Sequence, residues 1–115
     1  MFSGSKLRRV RLPELLETIG DRCFQGTALE QLEVPGRVTE IGSGAFSGCA
    51  SLKQVAFAPD AQLRVLAENV FRGTGLERFE APASLREIRA GALAECPALR
   101  TVTLNEGLER IGNFG

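Results

Sequence analysis

Apolar and polar positions along the 115 residues return in blocks. Each block opens with Leu, and apolar residues recur at its fourth and sixth places, as in Leu29, Leu32 and Val34 or Leu99, Val102 and Leu104. The residues between them are mostly polar, so the opening alternates with the period of two that sends successive side chains to opposite faces of a strand. Blocks start at Leu7, Leu29, Leu52, Leu76 and Leu99, at spacings of 22 to 24 residues, and the last is incomplete. A period in this range is the signature of a repeat architecture. Pro13, Pro35, Pro59 and Pro82 follow four of the five predicted strands. Proline has no N–H to give to a ladder, so each is expected to end its strand at the same place in the block.

A second apolar pair follows the turn in every block: Leu16/Ile19, Val38/Ile41, Leu63/Leu66, Leu85/Ile88 and Leu108/Ile111. This spacing predicts a brief extended segment on the opposite side of a coil. Gly20, Gly42 and Gly112 come next and are expected to permit a sharp bend. After them stands a short turn carrying one large residue, in Cys23-Phe24, Ala45-Phe46, Val70-Phe71 and Ala92-Leu93, placed to plug the coil. No block has room for a long crossover helix, so short turns or single helical turns are expected outside the strands. One such coil cannot bury its apolar residues alone, whereas stacked coils align them into a continuous core. Some five inward side chains per coil, at about 1.5–3 kcal/mol each when fully buried, offset much of the ordering entropy. The expected architecture is therefore a single domain, residues 1–115, of about five stacked coils with parallel strands lining a concave face.

The block Ile41 to Leu52, IGSGAFSGCASL, with weaker copies from Leu7 onward, resembles the BspA-like leucine-rich repeats, built around an IGxxAFxxCxxL core. Departures are Ala67 and Arg89 in place of the bend glycine, Leu93 in place of Phe, and an extra residue between Pro59 and Leu63. The resemblance implies a right-handed leucine-rich solenoid, β-rich within the α/β horseshoe class. It also implies membership of a family of surface and interaction proteins of bacteria and protists, often linked to adhesion.

Stacked parallel strands sit about 4.8 Å apart, so equivalent positions form columns across the coils. The column just after each leading Leu reads Arg8, Glu30, Lys53, Glu77, Arg100 and alternates in sign. Opposite charges on neighbouring strands stabilise by about 0.2–1 kcal/mol per pair, which predicts a solvated ladder that helps fix register. The concave face is expected to carry two further columns: Arg9, Gln31, Gln54, Arg78, Thr101 and Arg11, Glu33, Ala56, Glu80, Thr103. These columns are polar and mixed, without the aromatic anchors that often dominate binding hot spots. If this face holds a protein partner, Arg78 beside Glu80 and Arg9 beside Arg11 are the leading candidates, because a guanidinium makes bidentate contacts to carboxylates.

Composition removes several alternatives. Fourteen basic and fourteen acidic residues cancel, so no overall field draws the chain to nucleic acid or an anionic membrane. No apolar run approaches the roughly 18 residues needed to span a bilayer. There is no histidine, which removes the commonest general base and every Ser-His or Cys-His nucleophile. Acid pairs such as Glu14 and Glu17 read as solvating residues, and the glycines of GSGAFSG, Gly42 to Gly48, as repeat punctuation rather than a phosphate loop. Cys49 and Cys96 share a repeat position with Thr27 and Thr74, which points to small-residue packing. Two coils separate them, roughly 10 Å at strand spacing and beyond disulfide reach. With Cys23 in another column, three inert and largely buried thiols are expected, with no metal site and no cofactor.

Neither end of the repeat array reads as a cap. The expectation is a piece of a longer array, or a chain that covers its ends by self-association. Location follows the same fork. The opening residues lack a signal-peptide core and the cysteines are unpaired, favouring a reducing interior for a complete chain. The resemblance implies the cell surface for a longer one. Three function classes follow: a non-catalytic protein-interaction or adhesion module using the concave strands, a structural, self-assembling segment with no separate ligand, or an enzyme, which would require a cleft and a base that the sequence does not offer.

Overall fold

A computed structural model of the chain describes residues 8–9 and 12–112. Leu7 and Arg11 lie outside them. Among the described residues the second to fifth coils contribute strand to two sides of the molecule, and the first coil to one. On one side lie two-residue strands formed by the second apolar pair: β1 (Thr18–Ile19), β3 (Glu40–Ile41), β5 (Val65–Leu66), β7 (Glu87–Ile88) and β9 (Arg110–Ile111). They form one parallel five-stranded sheet in the order β1-β3-β5-β7-β9. On the other side lie the strands that open the blocks: β2 (Gln31–Val34), β4 (Gln54–Phe57), β6 (Arg78–Glu80) and β8 (Thr101–Thr103). Their register pairs Gln31 with Gln54 and Arg78 with Thr101, so the columns expected from sequence line up across coils.

The core runs between the two sides. Leu29, Leu52 and Leu76, which open their blocks, are fully buried, as are Val38, Ile41, Leu63, Leu66, Leu85 and Ile88 of the second pair. The plug residues stack along the solenoid: the Phe24 and Phe46 rings lie 5.2 Å apart and nearly parallel, and Phe46 and Phe71 lie 5.7 Å apart. Leu93 ends this spine, and Phe79 closes on Phe71 from the strand side at 6.2 Å. Val102 and Leu104, the inward places of the fifth coil, are exposed, because no described coil stacks beyond them.

No helix occurs among the described residues, and the turns around the plug explain why. Alternate N–H groups bond in two directions. Arg22, Phe24 and Gly26 donate to the next coil at Ser43, Ala45 and Ser47, while Cys23, Gln25 and Thr27 donate three residues back. This zigzag requires positive φ at two columns, Arg22, Gly44, Asn69, Gly91 and Gly26, Gly48, Gly73, Glu95. Such angles interrupt any right-handed helix. Two of the bend glycines, Gly42 and Gly112, have another reason than the one expected from sequence. Gly42 does not adopt positive φ; a Cβ there would stand 2.5 Å from the backbone nitrogen of Asp21, so closeness of the neighbouring coil excludes a side chain.

The strand side is not one sheet. It divides into β2-β4 and β6-β8. Glu77 N–H still donates to the Lys53 carbonyl, but no backbone hydrogen bond joins residues 54–59 to 78–83. The third block is the longest, with an extra residue before Leu63, and its proline comes late. Pro35 and Pro82 occupy one place, whereas the third coil has Ala58 there and Pro59 one residue on. The proline of the third block is thus displaced by one residue, yet β4 still ends at Phe57, in register with Val34 at the end of β2. Ala58, with an N–H available, donates to the Val34 carbonyl at 3.3 Å and draws the chain toward the second coil. Val55 and Phe57, inward by pattern, are half-buried along the resulting seam, where Phe57 meets Phe79 edge-on at 6.0 Å.

Candidate functional site

Strand alternation places the candidate residues on the solvent side of β2, β4, β6 and β8. Gln31, Glu33, Gln54, Ala56, Arg78, Glu80, Thr101 and Thr103 are all exposed, each flanking an inward residue. Arg9 is exposed at the head of its column. Arg11, beside which it was expected to act, lies outside the described residues.

Two open grooves cross this face. One, about 700 Å³, runs over β4 and β6 and is bordered by Glu33, Gln54, Arg78 and Glu80. The other, about 860 Å³, lies over β2 and its following turn, with Arg9, Arg37 and Asp60 at its margin. They share Gln31, Glu33, Ala56, Phe57 and Ala58, so they form one trough. Sequence reasoning listed the charged rims and passed over the floor. Its signal was visible: Ala56 stands between Glu33 and Glu80 in its column, and two places on Ala58 stands where Pro35 and the buried Pro82 do. The third coil is thus a notch between two larger-sided neighbours.

Charges are treated differently on the two sides of the molecule. Ion pairs among the described residues lie away from the strand face: Arg72 with Glu95, and Arg89 with Glu68 and with Glu87 of β7. The hydrogen bond to Glu87, then the charges of Glu87 and Glu68, hold the Arg89 guanidinium above its ordinary pKa. On the strand face no side chain is ion-paired. The alternating column Arg8, Glu30, Lys53, Glu77, Arg100 forms no salt bridge; its coils are joined through the backbone, each N–H from Glu30 to Arg100 donating to the preceding member's carbonyl. Register is therefore fixed by the backbone ladder and the core beneath it, without side-chain pairing.

The cysteines belong to the fold. Thr27 Oγ1 and Cys49 Sγ are hydrogen-bonded at 3.3 Å and the Cys49 thiol donates to the Phe24 carbonyl at 3.1 Å, while the Cys96 thiol has the Thr74 hydroxyl at 3.3 Å and the Phe71 carbonyl at 3.1 Å as alternative acceptors for its one proton. All three cysteines are free; Cys49 is buried, while Cys23 and Cys96 are only partly so, less covered than expected. Among the described residues no three acidic, Cys or His side chains gather closely enough to hold a metal ion. No helix there is long and apolar enough to cross a membrane.

This geometry has known counterparts. The model of the BspA-type leucine-rich repeat region, six copies long, matches residues 1–114. The chain belongs to the BspA-type leucine-rich repeat family. A leucine-rich repeat protein of Bacteroides ovatus has the same fold, with a TM-score of 0.90 and 34% identity over 99% of this chain. The pneumococcal vaccine antigen PcpA shares the fold more distantly, at a TM-score of 0.58 and 23% identity over 98% of the chain. The chain spans 30% of the Bacteroides protein and 43% of PcpA. No curated protein matches it. BspA-type repeats are typical of surface proteins engaged in adhesion or interaction, and the fold is typically non-catalytic.

Proposed function

We propose that the chain is a non-catalytic protein-interaction or adhesion module that takes a protein partner on the face of β2, β4, β6 and β8. The observation that carries this reading is a trough bordered by charges of both signs that have no ion-pair partner: Arg9, Glu33, Arg78 and Glu80. Unpaired charges of both signs around a groove favour an oppositely patterned protein surface over a nucleic acid or an anionic membrane. Replacing Arg78→Glu together with Glu80→Lys is expected to weaken partner binding by roughly tenfold or more, measured by interferometry against immobilised secreted proteins. Unchanged affinity would overturn the reading. The purified chain is expected to show no turnover of ester, peptide or glycoside substrates, and any such turnover would argue for catalysis instead.

A second reading has its own support. Val102, Leu104 and Ile111 are 36%, 41% and 50% exposed beside the open edges of β8 and β9. Open, apolar strand edges are templates for association. If copies assemble there, light scattering will give a mass that rises with concentration, and Leu104→Lys with Ile111→Lys will abolish the rise. A mass independent of concentration would count against assembly.

A further inference from the structure

We infer that the notch over the third coil seats a basic side chain of the partner, an arginine before all others. This inference rests on the partner-binding reading of the strand face. Ala56 and Ala58 stand two places apart in the third coil, and their neighbours in the same places are Glu33 and Glu80 for the one, Pro35 and the buried Pro82 for the other. Glu33 stands on β2, hydrogen-bonded to β4, and Glu80 stands on β6, across the seam on the other side of β4. Ala56, Ala58 and the half-buried Phe57 ring line the groove between them, and Lys53, Gln54 and Arg78 border the same groove. An aliphatic stem fits that floor, and the rims decide what its head must be.

Neither Glu33 nor Glu80 has an ion-pair or hydrogen-bonded partner, and both are exposed enough to lean inward over Ala56. A carboxylate guest would be repelled by both rims. A neutral apolar guest would desolvate them without offering donors. A guanidinium carries five N–H donors in a planar fork and can reach a carboxylate on either side, while its stem covers the alanines. Gln31 and Gln54, one column away, can hydrogen-bond the partner's backbone and leave the choice of side chain to the notch.

The test uses the whole chain and a minimal probe. N-acetyl-arginine amide is titrated into isotope-labelled protein, with N-acetyl-citrulline amide as the uncharged isostere, and backbone amide shifts are followed. The expected result is saturable shifts centred on Ala56 and Ala58, with citrulline binding roughly tenfold more weakly through loss of charge-assisted bonds. Glu33→Gln with Glu80→Gln should weaken the arginine probe similarly, and Ala56→Leu should remove binding by filling the notch with every charge retained. Equal shifts for citrulline, shifts scattered over Glu14, Glu68 and Glu109, or full binding to Ala56→Leu would each overturn the inference. If the probe fails while Arg78→Glu with Glu80→Lys still abolishes partner binding, the arginine seat falls and the binding face stands.

Discussion

Thr27, Cys49, Thr74 and Cys96 occupy one column, and the structure explains why these two residue types alternate in it. Each is small enough for the space behind the plug, and each side chain carries one proton to donate. Thr74 gives its hydroxyl proton to the Phe71 carbonyl at 2.9 Å while 2% exposed. Thr74→Val keeps the shape and loses the donor, so it is expected to destabilise by about 1 kcal/mol in urea unfolding, with Thr74→Cys milder. A second residue-scale test separates conformation from space. Gly48 holds φ of 75° with no backbone atom nearer than 3.7 Å, so Gly48→Ala is strained by conformation, about 1–2 kcal/mol. Gly42 has the converse problem, and Gly42→Ala should cost more because Asp21 backbone must move. The first distinction, small and polar, could be read in the sequence from the repeat alignment. The second could not, because glycine is the same letter whether a dihedral or a neighbour requires it.

At the scale of elements, both sets of strands were legible, since the apolar places of each block return in register with the pleat. The plug was legible too, although its stacking was not: ring separations of 5.2 and 5.7 Å depend on how far each coil rises over the last. Phe46→Ala removes the middle of that spine and is expected to cost about 3–5 kcal/mol, read from the midpoint of denaturant unfolding. The expected side-chain charge ladder failed for a physical reason. Residues at the heads of strands are fully hydrated, and pairing long side chains there gains little. The divided strand side escaped sequence reading because it follows from a one-residue displacement of proline, which moves the donor at Ala58 onto the second coil. Hydrogen exchange should expose the division. Peptides covering residues 78–83 are expected to exchange faster than those covering 85–89, where the neighbouring coils are bonded on both sides. Equal protection would mean the seam is closed in solution.

For the molecule as a whole, the two sides divide the labour. The side of β1, β3, β5, β7 and β9 is a continuous ladder, Arg72–Glu95 and the Arg89 cluster are ion-paired away from the strand face, and the plug and leading leucines fill the space between. The strand face has unpaired charges, an interrupted ladder and a trough. Membership of the repeat family was readable from IGSGAFSGCASL and its copies, and the column Glu33, Ala56, Glu80 was readable too, whereas the groove over it was not. The most direct test of this division compares two charge swaps of equal size. Arg78→Glu with Glu80→Lys alters the strand face, and Arg72→Glu with Glu95→Lys alters a turn-side pair whose exposed ion pair contributes about 0–1 kcal/mol. Both proteins are measured for binding to the same immobilised panel of secreted proteins. The account predicts that the strand-face swap loses binding and the turn swap retains it; equal loss in both, or loss in the turn swap alone, would contradict it.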